Sequence, residues 1–259
     1  MLALERRNLI LEKLQIEKRV VVSELSQLYG VSEETIRRDQ EKLENDGLAI
    51  KSYGGAVIND NSSMDMPFNI RKNRNVAGKQ KIAELAAKLV EDGDHIMLDA
   101  SSTSVFIAKA LKQKMRLTVV TNSLEAIIEL SDVSGWDIIS TGGLVKEGYL
   151  ALLGDSARAG VEKYCADKLF LSCKGLSMEY GFTDPQEVFA EVKKAMIRSS
   201  KKVYLAVDHS KFDQDTFCRI DTFAGLSGVI TDQEPETKWL RLFAGLGVEC
   251  IYPSGKTEK

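Results

Sequence analysis

The sequence predicts an α/β chain in two parts, a small helical head that ends in a β-hairpin and a larger body with a mostly parallel sheet covered by helices. Three observations carry that expectation. The first 45 residues hold three short amphipathic helical patterns, followed by two extended runs around Gly54-Gly55. A polar stretch containing Pro67, NDNSSMDMPFNIRKNRN, then breaks the periodicity. Beyond it, near-continuous apolar strands alternate with helices, the pattern of a sheet buried on both faces. The expected boundaries are 1–58 for the head, 59–75 for a linker and 76–259 for the body. With 259 residues, 44% hydrophobic and 28% charged, the chain is long enough to bury a sizeable core.

Each element has its own signal. Leu4 to Leu14 places apolar residues at Leu9, Ile10, Leu11 and Leu14, Ser23 to Tyr29 repeats the pattern with Leu25 and Leu28, and Val31 to Asn45 follows. Ser23 and Ser32 are expected N-caps, and Gly30 suits the tight turn between the second and third helices. LAIKSYGGAVI supplies the hairpin, so the order is that of a winged helix-turn-helix. In the body, QKIAELAAKLVEDG, VFIAKALKQ, SLEAIIELS, EVFAEVKKAMIRSS and ETKWLRLFAGLG read as helices. HIMLDA, LTVVTN, WDIIST, DKLFLSC, KVYLAV, GVITD and VECIYP read as strands. There is no internal repeat and no low-complexity tract.

Composition excludes several classes. No run approaches the ~18 apolar residues of a membrane span, and charges interrupt MLALERRNLILEKL where a signal peptide needs an apolar stretch, so a cytoplasmic protein without membrane contact is expected. The four cysteines show no C-x-x-C spacing and only two histidines accompany them, so neither a disulfide framework, a metal site nor a cofactor is indicated. The net charge is −3, and residues 1–58 hold 9 Lys/Arg against 10 Asp/Glu. A nucleic-acid surface therefore has to come from placement rather than from excess charge.

The third helix, in VSEETIRRDQEKLENDG, supplies that placement. Thr35, Arg38 and Lys42 lie near one face with Glu34 and Arg37 beside it, while Ile36 and Leu43 lie on another. Glu34–Arg38 and Arg37–Glu41 are also i,i+4 pairs that any solvated surface helix can carry. Capped turn, preceding helix and glycine hairpin favour the reading helix of a helix-turn-helix, which enters the major groove. Arginine bonds guanine edges or phosphates, and Lys51 and Tyr53 on the wing reach the adjacent backbone. The candidate DNA contacts are Ser32, Glu34, Thr35, Arg37, Arg38, Lys42, Lys51 and Tyr53. Gln40 falls on the packing face, and it is expected at the edge of the core with its amide in water or bonded to neighbouring backbone.

In the body, polar residues gather where strands end. LDASSTSVFIAKAL places Ser101, Ser102, Thr103 and Ser104 between a strand and a helix start, where free amides and hydroxyls make an anion site in prospect. The plainer account is a helix cap. Thr121, Asn122 and Ser123, then Gly142 and Gly143, Lys174 and Gly175, and Asp208, His209 and Lys211 follow other strands, and the carboxyl ends of parallel strands are where ligands collect. Surface turns are the competing account of each. Trp136, Trp239 and Phe243 read as core aromatics, the cysteines as buried apolar residues, and His95 as structural. His209, without an identifiable partner, is a weak candidate for acid–base chemistry.

The stretches ERRNLILEKL, VVVSELSQLYGVSEETIRRD and LENDGLAIKSYGGAV strongly resemble the head of the DeoR family of bacterial sugar-operon repressors, with TIRRD and GGA as hallmarks. LDASSTS, TVVTNS, TGG, ADKLFLSCKG, GFTDPQE, EVKKAMI, VDHSKF and VITD extend the resemblance to that family's sensor domain, whose fold is similar to ribose-5-phosphate isomerase and glucosamine-6-phosphate deaminase. The resemblance implies an effector pocket of Asp99, Ser102, Thr103, Thr121, Asn122, Gly143, Lys174, Asp184, Glu187, Lys193, Asp208 and Lys211. In it, the 101–104 segment would hold a phosphate, Lys174 and Lys211 would supply charge, and Asp99, Asp184 or Glu187 would bond sugar hydroxyls. Gln40 stands where the family usually has leucine, Tyr53 where it often has histidine, Phe189 where many relatives have glutamate, and Ser101 or Ser102 where glycine is more common. The expected partners are double-stranded operator DNA, a phosphorylated sugar effector and further copies of the chain in a dimer or tetramer. The alternative is a sugar-phosphate isomerase or deaminase-like enzyme carrying a DNA-binding head; a plain DNA-architectural protein would leave the body without a role.

Overall fold

A computed structural model describes residues 2–45, 48–58 and 66–253. The chain divides into two compact units, Met1–Met66 and Pro67–Lys259.

The first unit runs α1 (Ala3–Glu17), β1 (Arg19–Val21), α2 (Val22–Tyr29), α3 (Glu33–Asn45), β2 (Ala49–Ser52) and β3 (Gly55–Ile58). Ile10, Leu11 and Leu14 of α1, Leu25 of α2 and Ile36 and Leu43 of α3 are all buried, as their 3.6-residue spacing requires. Gly30 closes α2 in the left-handed region at φ 64°, with its amide on the Ser26 carbonyl. The hairpin is in place, and β1 joins it in an antiparallel sheet of order β1-β3-β2. A Cβ on Gly55 would lie 2.1 Å from the Val20 carbonyl oxygen, so this third strand requires a glycine. β1 was not expected, because Arg19–Val21 is too short to show alternation. It also displaces the expected cap: α2 starts at Val22, whose amide bonds the Gly54 carbonyl, and Ser23 sits inside the first turn.

The second unit begins with α4 (Phe68–Asn73), α5 (Val76–Lys88), β4 (His95–Leu98), α6 (Ser102–Leu111), β5 (Thr118–Thr121), α7 (Leu124–Leu130) and β6 (Asp137–Ser140). There follow β7 (Leu144–Lys146), β8 (Ala151–Leu153), α8 (Asp155–Val161), β9 (Ala166–Leu171), β10 (Gly175–Ser177), β11 (Gly181–Asp184) and α9 (Glu187–Arg198). The last elements are β12 (Ser200–Ala206), β13 (Cys218–Asp221), β14 (Gly228–Ile230), α10 (Thr237–Gly245) and β15 (Glu249–Ile251). Seven strands form one wholly parallel sheet in the order β15-β14-β12-β9-β4-β5-β6. Alternate residues face opposite layers: Ile96, Leu98 and Phe170 pack with Ile82, Ile107 and Leu130 of α5, α6 and α7. Met97, Leu169 and Leu171 pack with Val161, Ala195 and Trp239 of α8, α9 and α10.

Two smaller antiparallel sheets, β7-β8 and β10-β11-β13, are additional to the expected elements, since their residues do not form separate apolar runs between helical patterns. The expected linker also shifts. Residues 59–65 lie outside the described residues, but Phe68–Asn73 is helical and Phe68 is buried with Val105 and Ala126. A buried aromatic anchors this segment, so the second unit starts at Pro67 rather than at 76.

Candidate functional site

In the first unit the candidate reading face is open. Ser32 accepts from the Thr35 amide at 3.2 Å and caps α3 as expected. Glu34, Arg37, Arg38 and Lys42 are exposed and Thr35 is half-buried, while Ile36 and Leu43 face the core. Arg38 pairs with Glu34 at 3.3 Å, as its spacing predicts; Arg37 pairs with Glu33 at 2.7 Å rather than with Glu41. Both pairs are solvent-exposed and cost little to break when a phosphate offers itself. Tyr53 is fully exposed at the hairpin tip, and the Lys51 amide donates to Glu44.

Behind this face the core is more polar than expected. Arg6 Nε meets Asp39 Oδ2 at 2.5 Å, both buried, and Arg7 approaches the other carboxylate oxygen at 3.7 Å. Gln40 is 1% exposed, and its Nε2 has no hydrogen-bond partner among the described residues. The packing face is correct, but the expectation of water or a backbone bond is not met.

In the second unit the chain-order reversal of the sheet falls between β4 and β9, the point at which an open parallel sheet leaves a crevice at its carboxyl ends. Asp99 stands there, wholly buried. Its Oδ1 accepts from the Ser101 amide at 3.3 Å and the Ser104 hydroxyl at 2.5 Å; its Oδ2 accepts from the Ser172 amide at 3.1 Å and lies 3.4 Å from Lys193 Nζ. Four donors fill the lone-pair positions of a carboxylate. Asp99 thus organises the crevice and has no capacity left for a sugar hydroxyl, the role the resemblance gave it. Ser101 caps α6 by accepting from the Ser104 amide, which leaves the amides of Ser102 and Thr103 without intrahelical acceptors.

Lys193, on α9, is sealed between two carboxylates, 2.5 Å from Asp184 Oδ2 and near Asp99, and it also donates to the Ser172 carbonyl at 2.7 Å. Burial disfavours its ammonium, but the attraction of Asp184 and Asp99 outweighs that and holds its pKa above the ordinary lysine value. Lys193 is therefore a counter-ion rather than a ligand group. Asp184 Oδ1 and Asn122 Oδ1 are buried and lack partners among the described residues, as does Thr216 Oγ1. Unfilled acceptors at strand ends are what an incoming hydroxyl or amine requires.

The remaining candidates divide. Asp208 caps a single turn, His209–Lys211, and accepts from the Ser210 amide and hydroxyl. Burial opposes its ionisation, but Lys211 and the Ser210 bonds keep its pKa below the ordinary value. Lys174 and Lys211 are half-buried at strand ends, and the Lys174 amide bonds the Thr183 carbonyl. Thr121 is turned inward to the Leu98 carbonyl, Gly142 is exposed and Glu187 is exposed in the first turn of α9. Gly143, at φ 115°, and Gly175 are required by packing, since a Cβ would come within 2.6 Å of the Leu153 carbonyl oxygen and 2.5 Å of that of Gln214.

Four residues the sequence did not single out, Asp232, Lys79, Arg71 and Tyr149, join these candidates. His209 does have a partner: Asp232 Oδ2 lies 2.8 Å from its Nδ1, and Asp232 Oδ1 accepts its amide at 2.8 Å. Lys79, on α5, is 3% exposed; burial pushes its pKa down to about 8, with Asp208 opposing and Lys211, Arg71 and Arg74 reinforcing. Arg71 lies over the rings of Phe68 and Tyr149, and Tyr149 packs on Phe189, which gives the departure at that position an aromatic neighbour. Lys79 was legible, for it shares the i, i+3, i+4, i+7 stripe of Ile82, Ala83 and Ala86, where a lysine is out of place. Of the plain readings, Trp239 and Phe243 are fully buried, Trp136 is half-buried and His95 pairs with Asp167, but of the cysteines Cys173 alone is buried, Cys218 and Cys250 being half-buried and Cys165 exposed.

The profile of the DeoR C terminal sensor domain matches residues 74–233, and that of the DeoR-like helix-turn-helix domain matches residues 6–62. The chain belongs to the DeoR family of transcriptional regulators. It is 42% identical to the uncharacterized HTH-type transcriptional regulator YulB of Bacillus subtilis over 90% of each chain. It is 33% identical to the HTH-type transcriptional repressor GlcR of the same organism over 95% of each. Among solved structures, ribose 5-phosphate isomerase A from Methanocaldococcus jannaschii is 18% identical, with a TM-score of 0.39, over 52% of this chain and 53% of that one. The family is one of DNA-binding regulators, which sets aside the isomerase or deaminase alternative for this member.

Proposed function

We propose that this DeoR-family regulator is a repressor of a carbohydrate-use operon, released from or driven onto its operator by a phosphorylated sugar bound at the β4/β9 crevice. The observation that carries the reading is that Lys193 joins Asp184, whose Oδ1 is buried without a partner among the described residues, to Asp99, which holds the start of α6, while Asn122 Oδ1 after the neighbouring β5 is a second such acceptor. A helix start suits a phosphate, and unfilled carboxylate and amide oxygens suit hydroxyls. Ser101–Ser104 and Lys211 form the anion side of this pocket; Asn122, Asp184 and Glu187 form the hydroxyl side. Lys174 and Gly175 border it. Repressors of this build read DNA in pairs, so a homodimer or tetramer would present two α3 helices, with Thr35, Arg37, Arg38 and Lys42, to repeated half-sites. Such a protein works in the cytoplasm.

A gel-shift series on the DNA upstream of its own transcription unit, with pentose, hexose and hexosamine phosphates, tests this. A specific complex that one sugar phosphate strengthens or weakens supports the reading. Specific binding that none of them changes would sink the effector half and leave the regulator half standing.

A further inference from the structure

The entry to the second unit is held at two points, to α5 through Lys79 and, through Asn75, to Asp232 and the turn His209–Lys211. Lys79 Nζ donates to the carbonyl oxygens of Arg71, at 2.8 Å, and of Arg74, which are the last turn and cap of α4. It sits in the field of Asp208 and Lys211, and its ammonium lies 5.9 Å from the Phe106 ring of α6. Asn75, left-handed at φ 47°, makes the second tie. Its side chain accepts from the Gly78 amide and donates to Asp232 Oδ2 at 3.2 Å, and Asp232 holds His209 by ring and amide. A Cβ on Gly78 would lie 2.4 Å from Asn75 Nδ2 and 2.6 Å from Asp232 Oδ2, so the clasp closes only around a glycine.

α4 itself is anchored by Phe68 and by Lys72, which pairs with Glu125. Between that anchor and α5, the joint Arg71–Lys79 is held by an ammonium that neutralises helix-end carbonyls, a role usually left to exposed cations. An anion offers such an ammonium a stronger bond than a carbonyl does.

We propose that the Arg71–Lys79 joint is the transmission element of this regulator. An anion arriving beside Asp208 and Lys211 draws the Lys79 ammonium from the Arg71 and Arg74 carbonyls, loosens the end of α4, and so changes the affinity of the chain for DNA. The inference rests on the effector reading above, since it needs an anionic ligand in that pocket.

The test uses full-length wild type, Gly78→Ala, Asn75→Ala and Lys79→Gln. Gly78→Ala opens the Asn75–Asp232 contact by bulk without altering a charge, and Asn75→Ala opens it by truncation, so the clasp stays testable if either fails to fold. Each protein is scored twice with ribose 5-phosphate, glucosamine 6-phosphate and fructose 1-phosphate: for the shift in melting temperature, and for the change in affinity for the upstream DNA. For the sugar phosphate that acts on wild type, we expect about a tenfold or larger change in DNA affinity. In Gly78→Ala and Asn75→Ala the melting shift persists but the change in DNA affinity falls to about twofold or less, while in Lys79→Gln, which removes the ammonium the anion draws, both responses shrink. Variants that keep the wild-type change in DNA affinity overturn the proposal; so do Gly78→Ala and Asn75→Ala proteins that both lose the melting shift, because the clasp would then be part of the ligand site, and so does a Lys79→Gln protein with the full wild-type melting shift, because the anion would then not meet the ammonium. A wild type indifferent to all three overturns the effector reading, and this inference with it.

Discussion

The two units bury ionised side chains to different ends. In the first, Arg6 and Asp39 meet at 2.5 Å between α1 and α3, and the pair serves to hold the reading helix on its scaffold. In the second, Asp99, Lys193 and Asp184 form a chain at the sheet reversal, with every position on Asp99 taken and Asp184 Oδ1 left over. The first arrangement is closed and its leftover atom, Gln40 Nε2, points into the core as a plain defect. The second has its leftover acceptor among strand ends beside a helix start. An unpaired buried atom is thus a stability cost in one unit and, in the proposed reading, a place for a ligand hydroxyl in the other, and its surroundings make the difference.

The sharpest way to break this comparison is Lys193→Met. It leaves Asp99 and Asp184 buried without a counter-ion and should cost about 3–5 kcal/mol. Trp136 and Trp239, the only two tryptophans, both lie in the second unit, so urea unfolding followed by their fluorescence reads it alone. Asp39→Asn should leave that signal unchanged while weakening DNA binding; a shifted tryptophan transition would show that the two buried clusters are not independent.

Next in size is Lys79. Its folded pKa of about 8 lies below its ordinary 10.5, so between those values the unfolded chain binds more protons and stability rises with pH. Below about pH 8 both states are protonated and the full penalty, about 3 kcal/mol, is present; it is gone above pH 10.5. Stability measured from pH 7 to 10 should climb in wild type more than in Lys79→Gln. Equal slopes would remove Lys79 from the account.

Gln40→Leu should raise the stability of the first unit by about 1–3 kcal/mol, because it replaces an unpaired amide with an apolar side chain. Selection of DNA sequences by the variant should return the wild-type preference. A new preference would mean that the Gln40 position shapes the reading face. The smallest effect belongs to Ser32→Ala, which removes the α3 cap for about 1 kcal/mol and should lower DNA affinity for all sequences alike.

Most of the architecture was legible because helices and parallel strands repeat their apolar residues often enough to be seen. All seven strands of the large sheet, the three head helices and the hairpin carry that pattern. β1, β7-β8 and β10-β11-β13 do not, since their residues do not stand as separate apolar runs between helical patterns as those of the equally short β14 and β15 do. The site was legible by type and not by partnership. Ser101–Ser104 and Lys211 lie at strand ends as expected and Asp184 came from the family resemblance alone, but burial of Asp99 and Lys193 turned two expected ligand groups into structural ones. Asp232 gives no signal of its own: it matters because its carboxylate reaches Asn75 and His209 across the fold. Gln40 taught the opposite lesson, for its helical face was right and only its lack of a partner needed coordinates.

Effector control requires two sites in one chain that affect each other. Binding of a sugar phosphate is measured by calorimetry with and without saturating operator DNA, and binding of operator with and without that sugar phosphate. Coupling through the protein predicts the same factor in both directions, about 5–150-fold, in the sense set by the gel shift. A sugar phosphate that binds with one affinity whether or not DNA is present would contradict it.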